Sequence, residues 1–302
     1  MKIIITAANG FIGETLVRYF RQQHVVIALV RKMPSKSING VKYILWDGKN
    51  PGTWATELEG ALAVINLAGR SVNCRYNAKN KREIYSSRLE STACLGKAIA
   101  QCADKPQVWI NTASATIYEY SLHEPMTEKN GTIGTGFSVD VCQRWEQAFN
   151  AYSTADVRQI LLRTAIVLGK NGGVLKPFNR LARFGLGGKM AAGNQMFSWI
   201  HEMDLCRAID FLIRETSCAG IYNLSAPHPV TNTAFMQTLR KSLGKSFGLP
   251  SPGWLLKIGA ALIGTETELI FKSRFVVPER LTEAGFEFRF KQIAPCLTDL
   301  NA

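Results

Sequence analysis

The sequence contains no pair of cysteines spaced C-x-x-C, no internal repeat of solenoid length and no apolar run long enough to span a bilayer. The first absence argues against a zinc ribbon or thioredoxin-like redox motif. The seven cysteines (Cys74, Cys94, Cys102, Cys142, Cys206, Cys218 and Cys296) are odd in number and scattered through apolar segments. That pattern predicts reduced thiols in a cytoplasmic protein, with no disulfide framework and no bound metal. The longest apolar stretch, WLLKIGAALIG at 254–264, is too short for a membrane and carries Lys257, so it reads as a buried or half-buried helix. The start, MKIIIT, runs straight into a strand without a charged-then-apolar leader, and no signal peptide is expected. Acidic residues are also scarce, 23 against 36 lysines and arginines, which leaves a net charge of +13.

Such a charge attracts polyanions, and Lys170, Lys176, Arg180, Arg183 and Lys189 fall within one span. Four of these five spread over about four helical turns, and no nucleic-acid motif is present. Nucleic acid is therefore not expected as a partner, whereas small molecules bearing phosphate suit the same charge. The length and the 46% hydrophobic content suit a globular chain with a full core.

A β-branched run at 2–6 (KIIIT) leads into a turn and a helical pattern at 10–23, then a second apolar run at 24–30. The alternation continues with strands expected at 41–45, 61–68 and 107–113, helices at about 79–103 and 138–152, and a strand over 157–169. Continuous apolar strands separated by helices predict a parallel sheet covered on both faces, an α/β fold. After Gly169 the glycines of GKNGG and GLGGKMAAGN mark loops around a short helix, expected to cover the face where a ligand sits. A late strand is expected at 221–225, followed by a helix capped by Thr231 or Asn232, and the remainder from 250 reads as mostly helical. The expected division is 1–168 with 198–226 for the sheet domain, and 169–197 with 227–302 for a smaller, mostly helical region on the substrate side.

The stretch TAANGFIG, following the first strand, has the spacing of a phosphate-binding turn: Ala7, Gly10 and Gly13, with alanine in the place of the first glycine. A helix amino end offers free N–H groups and a favourable dipole to a pyrophosphate, and glycines let the backbone approach it. Alanine is tolerable there if position 7 has negative φ, and that is the expectation; at positive φ it would be strained. Asn9, Phe11 and Ile12 complete the turn. The second strand ends in LVRKM, which puts Arg31 and Lys32 where NAD-binding folds usually place an acid that grips the ribose. Two cations there suit a 2′-phosphate, so NADP is preferred to NAD. An ordinary strand-helix turn and a solvated basic loop are the plainer alternatives.

These landmarks resemble the short-chain dehydrogenase/reductase superfamily in its extended, nucleoside-sugar-epimerase-like branch. More narrowly, the chain resembles the bacterial "epimerase family protein" group, whose C-terminal domain has no assigned function. The resemblance runs nearly end to end through NKREIYSSRLEST, LRTAIVLGKNGGVL, GNQMFSWIHEMDL, GIYNLSAPHPVTNTAF and VPERLTEAGFEFRF. It implies a doubly wound, Rossmann-type domain with a dinucleotide lying across the strand ends and the nicotinamide near Ser114. It also implies Asp47 near the adenine and Asn66, Leu67, Ala68 and Gly69 along the cofactor channel. Arg88 and Lys81 then lie on a helix near the site, with exposed ion pairs as their plainer role. His201 and Asp204 match an H-x-x-D at a helix start, where structural duty is expected of both. A homodimer is compatible with this picture.

Active members of the superfamily carry a tyrosine four residues before a lysine on one helical face; the lysine holds the ribose and lowers the phenol's pKa. Here the matching helix reads SVDVCQRWE, which puts Ser138 and Cys142 at those positions if Glu146 is aligned with the acid that commonly follows. Neither side chain replaces the pair, since an unassisted hydroxyl is a poor acid and a thiol in an apolar helix stays neutral. Tyr118, just beyond Ser114, is a candidate stand-in acid, with pocket-shaping as its alternative role. The expected function is that of an NADP(H)-binding, epimerase/dehydratase-like oxidoreductase for a small molecule; the alternative is a dinucleotide-binding sensor without catalysis.

Overall fold

The computed structural model describes residues 1–256 and 271–302. Much of the apolar stretch at 254–264, read above as a helix, lies outside the described residues. The chain begins β1 (Lys2–Thr6), α1 (Phe11–Phe20), β2 (Val25–Val30), β3 (Val41–Leu45) and β4 (Ala63–Asn66). It continues with α2 (Ala78–Gln101), β5 (Val108–Ser114), α3 (Phe137–Asn150), β6 (Arg158–Thr164), β7 (Ile166–Leu168) and α4 (Leu175–Arg183). Then come β8 (Met196–Phe197), β9 (Trp199–His201), α5 (Glu202–Arg214), β10 (Gly220–Leu224), β11 (Val230–Thr231) and α6 (Asn232–Ser242). Two further helices are described after the gap, α7 (Glu279–Glu283) and α8 (Ile293–Asn301).

Seven strands form one parallel sheet in the order β10-β6-β5-β4-β1-β2-β3. The central strands are apolar on both faces because both are covered, as the uninterrupted runs IIIT, VIALV and AVI require. One face packs Leu16, Val17 and Phe20 of α1 with Leu205, Ile209 and Leu212 of α5. On the other, Leu95 and Ile99 of α2 and Phe149 of α3 close over Trp54, Trp109 and Leu161. The order reverses between β1 and β4, so their carboxyl ends part and leave the crevice in which doubly wound folds bind ligands.

The expected strand over 157–169 is two strands. β6 joins the main sheet; the chain turns at Ala165, whose N–H is taken by Leu224 O, and β7 leaves to pair with β9. An unbroken apolar run cannot show this change of partner. A separate core joins Leu175 and Ala182 of α4, Phe235, Met236 and Leu239 of α6, and Ile293, Cys296 and Leu297 of α8. This is the smaller helical part at the carboxyl end of the sheet. Glycines 169, 172 and 173 press on the Phe11 ring; a Cβ on Gly172 would stand 2.4 Å from Phe11 Cδ2. The GKNGG loop thus lies over the amino end of α1.

Candidate functional site

The crevice floor is the turn after β1. Gly10 N–H donates to Ala7 O at 2.9 Å, and Gly10 begins α1 without any side-chain cap. Of the other helices, α2, α5 and α6 are capped by Asn77, His201 and Thr231, while α3, α4, α7 and α8 also begin without a side-chain cap. The first N–H groups of α1, on Phe11, Ile12 and Gly13, lie before the ladder begins at Glu14 N→Gly10 O and are the orphan donors of a helix start. Gly13 is obligatory for the fold itself: a Cβ there would lie 2.4 Å from Ala7 O and 2.7 Å from Ala8 Cα. The expectation for Ala7 is corrected. Its φ is +48°, so its methyl sits in the left-handed region that glycine occupies without penalty. The cost, about 1–2 kcal/mol, is borne by the rest of the fold.

Arg31 and Lys32 follow β2 with exposed side chains, and Asn9 Nδ2 donates to Lys32 O at 3.3 Å, tying this basic loop to the turn. Asp47 follows β3, but its carboxylate is engaged locally: Oδ1 accepts from the backbone of Lys49 (2.8 Å) and Asn50 (2.9 Å), and Oδ2 from Asn50 Nδ2 (2.7 Å). The Asn50 and Lys49 amides hold its carboxyl below the usual range. Asn66 is fully buried rather than open to the crevice. Its Oδ1 accepts from Thr6 Oγ1 (2.8 Å) and Ala68 N (3.1 Å), and its Nδ2 donates to Asn111 Oδ1 (2.7 Å) and Thr92 Oγ1 (3.3 Å). Asn66 therefore locks β1, β4 and β5 at the depth where the strands end, and Leu67, Ala68 and exposed Gly69 emerge above it.

Arg88 is not an exposed ion-pair residue. Its Nη1 donates to Arg70 O (3.0 Å) and Ile84 O (3.1 Å), and its guanidinium lies 5.0 Å over the Trp145 ring of α3. Among the described residues its partners are carbonyls and an indole face rather than a carboxylate, and burial lowers its pKa. Lys81 lies 5.0 Å over the Phe137 ring. Ser114 ends β5 and caps the 3-10 turn Ala115–Ile117, accepting from Thr116 N at 3.2 Å. Cys142 packs beneath that turn with Ala115 and Ile117, and burial pushes its thiol up to about 12, which keeps it protonated.

Tyr118 is 2% exposed. Its hydroxyl donates to Asn223 Oδ1 at 2.8 Å and accepts from Arg163 Nη1 at 3.0 Å, while Arg163 forms two bonds with the Glu146 carboxylate, 2.9 and 2.8 Å. Burial raises the phenol's pKa. The hydroxyl thus donates one bond and accepts another inside a closed side-chain network, so the geometry favours packing over proton transfer. His201 and Asp204 are structural. His201 caps α5 through Nδ1, stacks on Phe290 at 3.9 Å between centroids, and meets Asp299 Oδ2 through Nε2 at 3.3 Å. Asp204 accepts from the backbone of Arg289 (2.9 Å) and Phe290 (2.8 Å), fastening the C-terminal segment.

Two cations were missed in the sequence. Lys272 Nζ donates to Thr116 O at 2.8 Å, and buried Arg274 Nε to Thr116 Oγ1 at 3.3 Å. They lie more than 150 residues downstream, and only the VPERLTEAGFEFRF resemblance, which begins at Val277, drew attention to that region. The basic span of Lys170, Lys176, Arg180 and Arg183 lines a separate cavity of about 720 Å³, which shares no residue with the crevice. Only Lys176, Arg180 and Arg183 of that span stand on α4.

Residues 3–225 match the sequence profile of the NAD dependent epimerase/dehydratase family. The chain belongs to that family. As in this family's nicotinamide-dinucleotide-binding fold, the crevice sits at the point where strand order reverses. Residues 251–300 match a domain of unknown function, DUF1731. Among family relatives, the epimerase family protein SERP0438 of Staphylococcus epidermidis is 30% identical, covering 99% of this chain and 98% of its own. The chloroplastic SDR39U1 homolog of Arabidopsis thaliana is 32% identical over 98% of this chain and 86% of its own. The crystal structure of the human epimerase family protein SDR39U1 with NADPH superposes with a TM-score of 0.88 at 28% identity, covering 100% of this chain and 99% of that one. Among the described residues, no helix is long and apolar enough to cross a membrane and no cluster could hold a metal ion.

Proposed function

We propose that the protein is an NADP(H)-binding, epimerase/dehydratase-like oxidoreductase that acts on a small molecule. The observation that carries the reading is the uncapped amino end of α1, facing the crevice, with Arg31 and Lys32 beside it and no acid at the end of β2. The N–H groups of residues 11–13 hold the pyrophosphate in this reading, Arg31 and Lys32 take the 2′-phosphate, and the 67–69 backbone flanks the ribose. Bound NADPH would supply the hydride. The chain's own residues bind and orient it, with Asn66 acting from behind by fixing the strand ends. Ser114, half-buried at the end of β5, is in this reading a hydroxyl beside the nicotinamide. The human relative bound to NADPH supports the choice of NADP.

A second reading, a dinucleotide-binding sensor without hydride transfer, is favoured by the Glu146 alignment that puts Ser138 and Cys142 at the tyrosine and lysine positions, and by the enclosed hydroxyl of Tyr118. Fluorescence titration with NADPH and NADH tests the shared part. Preference for NADPH supports it, and equal or absent binding removes it. Single-turnover oxidation of bound NADPH by a metabolite panel then separates enzyme from sensor.

A further inference from the structure

The cations of α4 take no part in the proposed function. Lys176, Arg180 and Arg183 recur at intervals of four and three residues, so they project within an arc of about 60° on one face of the helix. With a rise of about 1.5 Å per residue they form a stripe roughly 10 Å long. That stripe, together with Phe184 and the α8 residues Leu300 and Asn301, lines the cavity of about 720 Å³. Asn179 Nδ2 donates to Asn301 Oδ1 at 2.7 Å, and Asn301 Nδ2 to Ser242 Oγ at 2.9 Å, which ties the α4 wall to the α8 wall and to the end of α6.

Lys170 also reaches the cavity, but its Nζ donates to Ala302 O at 3.4 Å. Among the described residues, the side chains of Lys176, Arg180 and Arg183 have no hydrogen-bond or ion-pair partner. No acidic residue occurs between Lys170 and Glu202. The acids that adjoin the lining residues are engaged elsewhere: Glu202 accepts from Lys170 N at 3.0 Å, and Asp299 meets His201 at 3.3 Å. Helix electrostatics account for only part of the stripe. Arg180 and Arg183, in the last turn, complement the negative end of the dipole, whereas Lys176 stands in the first turn, where the dipole disfavours a cation. Like charges at this spacing also cost a helix stability unless an anion lies between them. We infer that this cavity is a second binding site, separate from the crevice, for a small molecule bearing two or more linked phosphates. A stripe roughly 10 Å long matches a chain of phosphates rather than a single one. The volume falls in the small-ligand range of about 300–1,000 Å³, and Phe184, 77% exposed, offers an apolar contact to the rest of the ligand.

The inference does not depend on the cofactor reading, and one set of titrations separates the two. The full chain is titrated calorimetrically with inorganic tripolyphosphate and with orthophosphate at constant ionic strength, with and without saturating NADPH. Saturable binding of tripolyphosphate is expected, about tenfold or more tighter than orthophosphate, and retained in the presence of NADPH. Lys176→Gln, Arg180→Gln and Arg183→Gln should each weaken it by roughly fivefold or more, whereas Lys97→Gln, an exposed cation on α2, should leave it unchanged. No saturable binding, equal affinity for the two anions, equal affinity in the α4 variants, the same loss in Lys97→Gln, or displacement by NADPH overturns the site. If NADPH does not bind, the cofactor reading fails while the α4 variants still decide this one. Should those variants not fold, acylation of Lys176 in the wild type, followed by mass spectrometry, must slow severalfold at saturating tripolyphosphate; an unchanged rate refutes the inference.

Discussion

Ala7→Gly should make the protein more stable, although it removes a methyl group. At φ +48° the Ala7 Cβ crowds its own carbonyl, a cost of about 1–2 kcal/mol that glycine avoids. Glycine gives back roughly 0.4–1 kcal/mol through the greater freedom of its unfolded chain. The net expectation is about 0.5–1 kcal/mol of added stability, a rise in melting temperature of roughly 1–4 °C for a chain this size. Ala7→Val tests the same geometry from the other side, because a β-branched residue at positive φ is a conformational outlier and should cost more than 1 kcal/mol. Urea denaturation of the three proteins, followed by circular dichroism, gives the comparison. A loss of more than 1 kcal/mol in Ala7→Gly, or a neutral valine, would refute the strained turn.

Other outcomes follow from the same structure. Gly13→Ala should fold poorly or lose NADPH, since its Cβ would lie 2.4 Å from the Ala7 carbonyl oxygen; normal stability and binding, measured by calorimetry, would contradict the packing. Arg31→Glu should weaken NADPH by about 1–3 kcal/mol, roughly the strength of a hydrogen bond to a charged group, and NADH far less; unchanged discrimination in a fluorescence titration moves the phosphate role elsewhere. Glu146→Ala should destabilise by about 3–5 kcal/mol in urea, because it strands the buried Arg163 guanidinium, and a cost under 1 kcal/mol would show that the pair is dispensable. Burial lowers the His201 pKa below 6.5, so the unfolded chain binds the proton first and this residue subtracts stability as pH falls below about 6.5; His201→Asn, which offers a capping oxygen in place of the ring Nδ1, should flatten that slope in pH-dependent denaturation.

The sheet was readable because each strand is a β-branched run bounded by glycine or polar turns, and β1, β3 and β10 fall within a residue of where those runs predict. Helix α1 follows from its glycines and amphipathic spacing, and a cap at Thr231 or Asn232 from their position before an apolar pattern; Thr231 is the one that accepts from Ala234 N. Two-residue strands such as β8 and β11 leave no periodic signal. The break at Ala165 depends on which strand offers a hydrogen-bond partner, a tertiary fact absent from local pattern. At the site, the spacing of Ala7, Gly10 and Gly13 located the turn, but the sign of φ at Ala7 is set by how β1 must enter α1. Arg88 lies on a helix whose sequence is polar along much of its length, so its inward turn over Trp145 is visible only once α2 and α3 are packed. The same holds for Asn66, whose four partners come from β1, β5, α2 and its own loop.

The central claim is that the uncapped start of α1 holds the pyrophosphate and the loop after β2 reads the 2′-phosphate. A crystal structure of the protein with NADPH tests it most directly. The account predicts pyrophosphate oxygens against the N–H groups of residues 11–13 and the 2′-phosphate against Arg31 or Lys32. A nucleotide bound at another edge of the sheet, or one whose 2′-phosphate points to solvent away from both side chains, would contradict it.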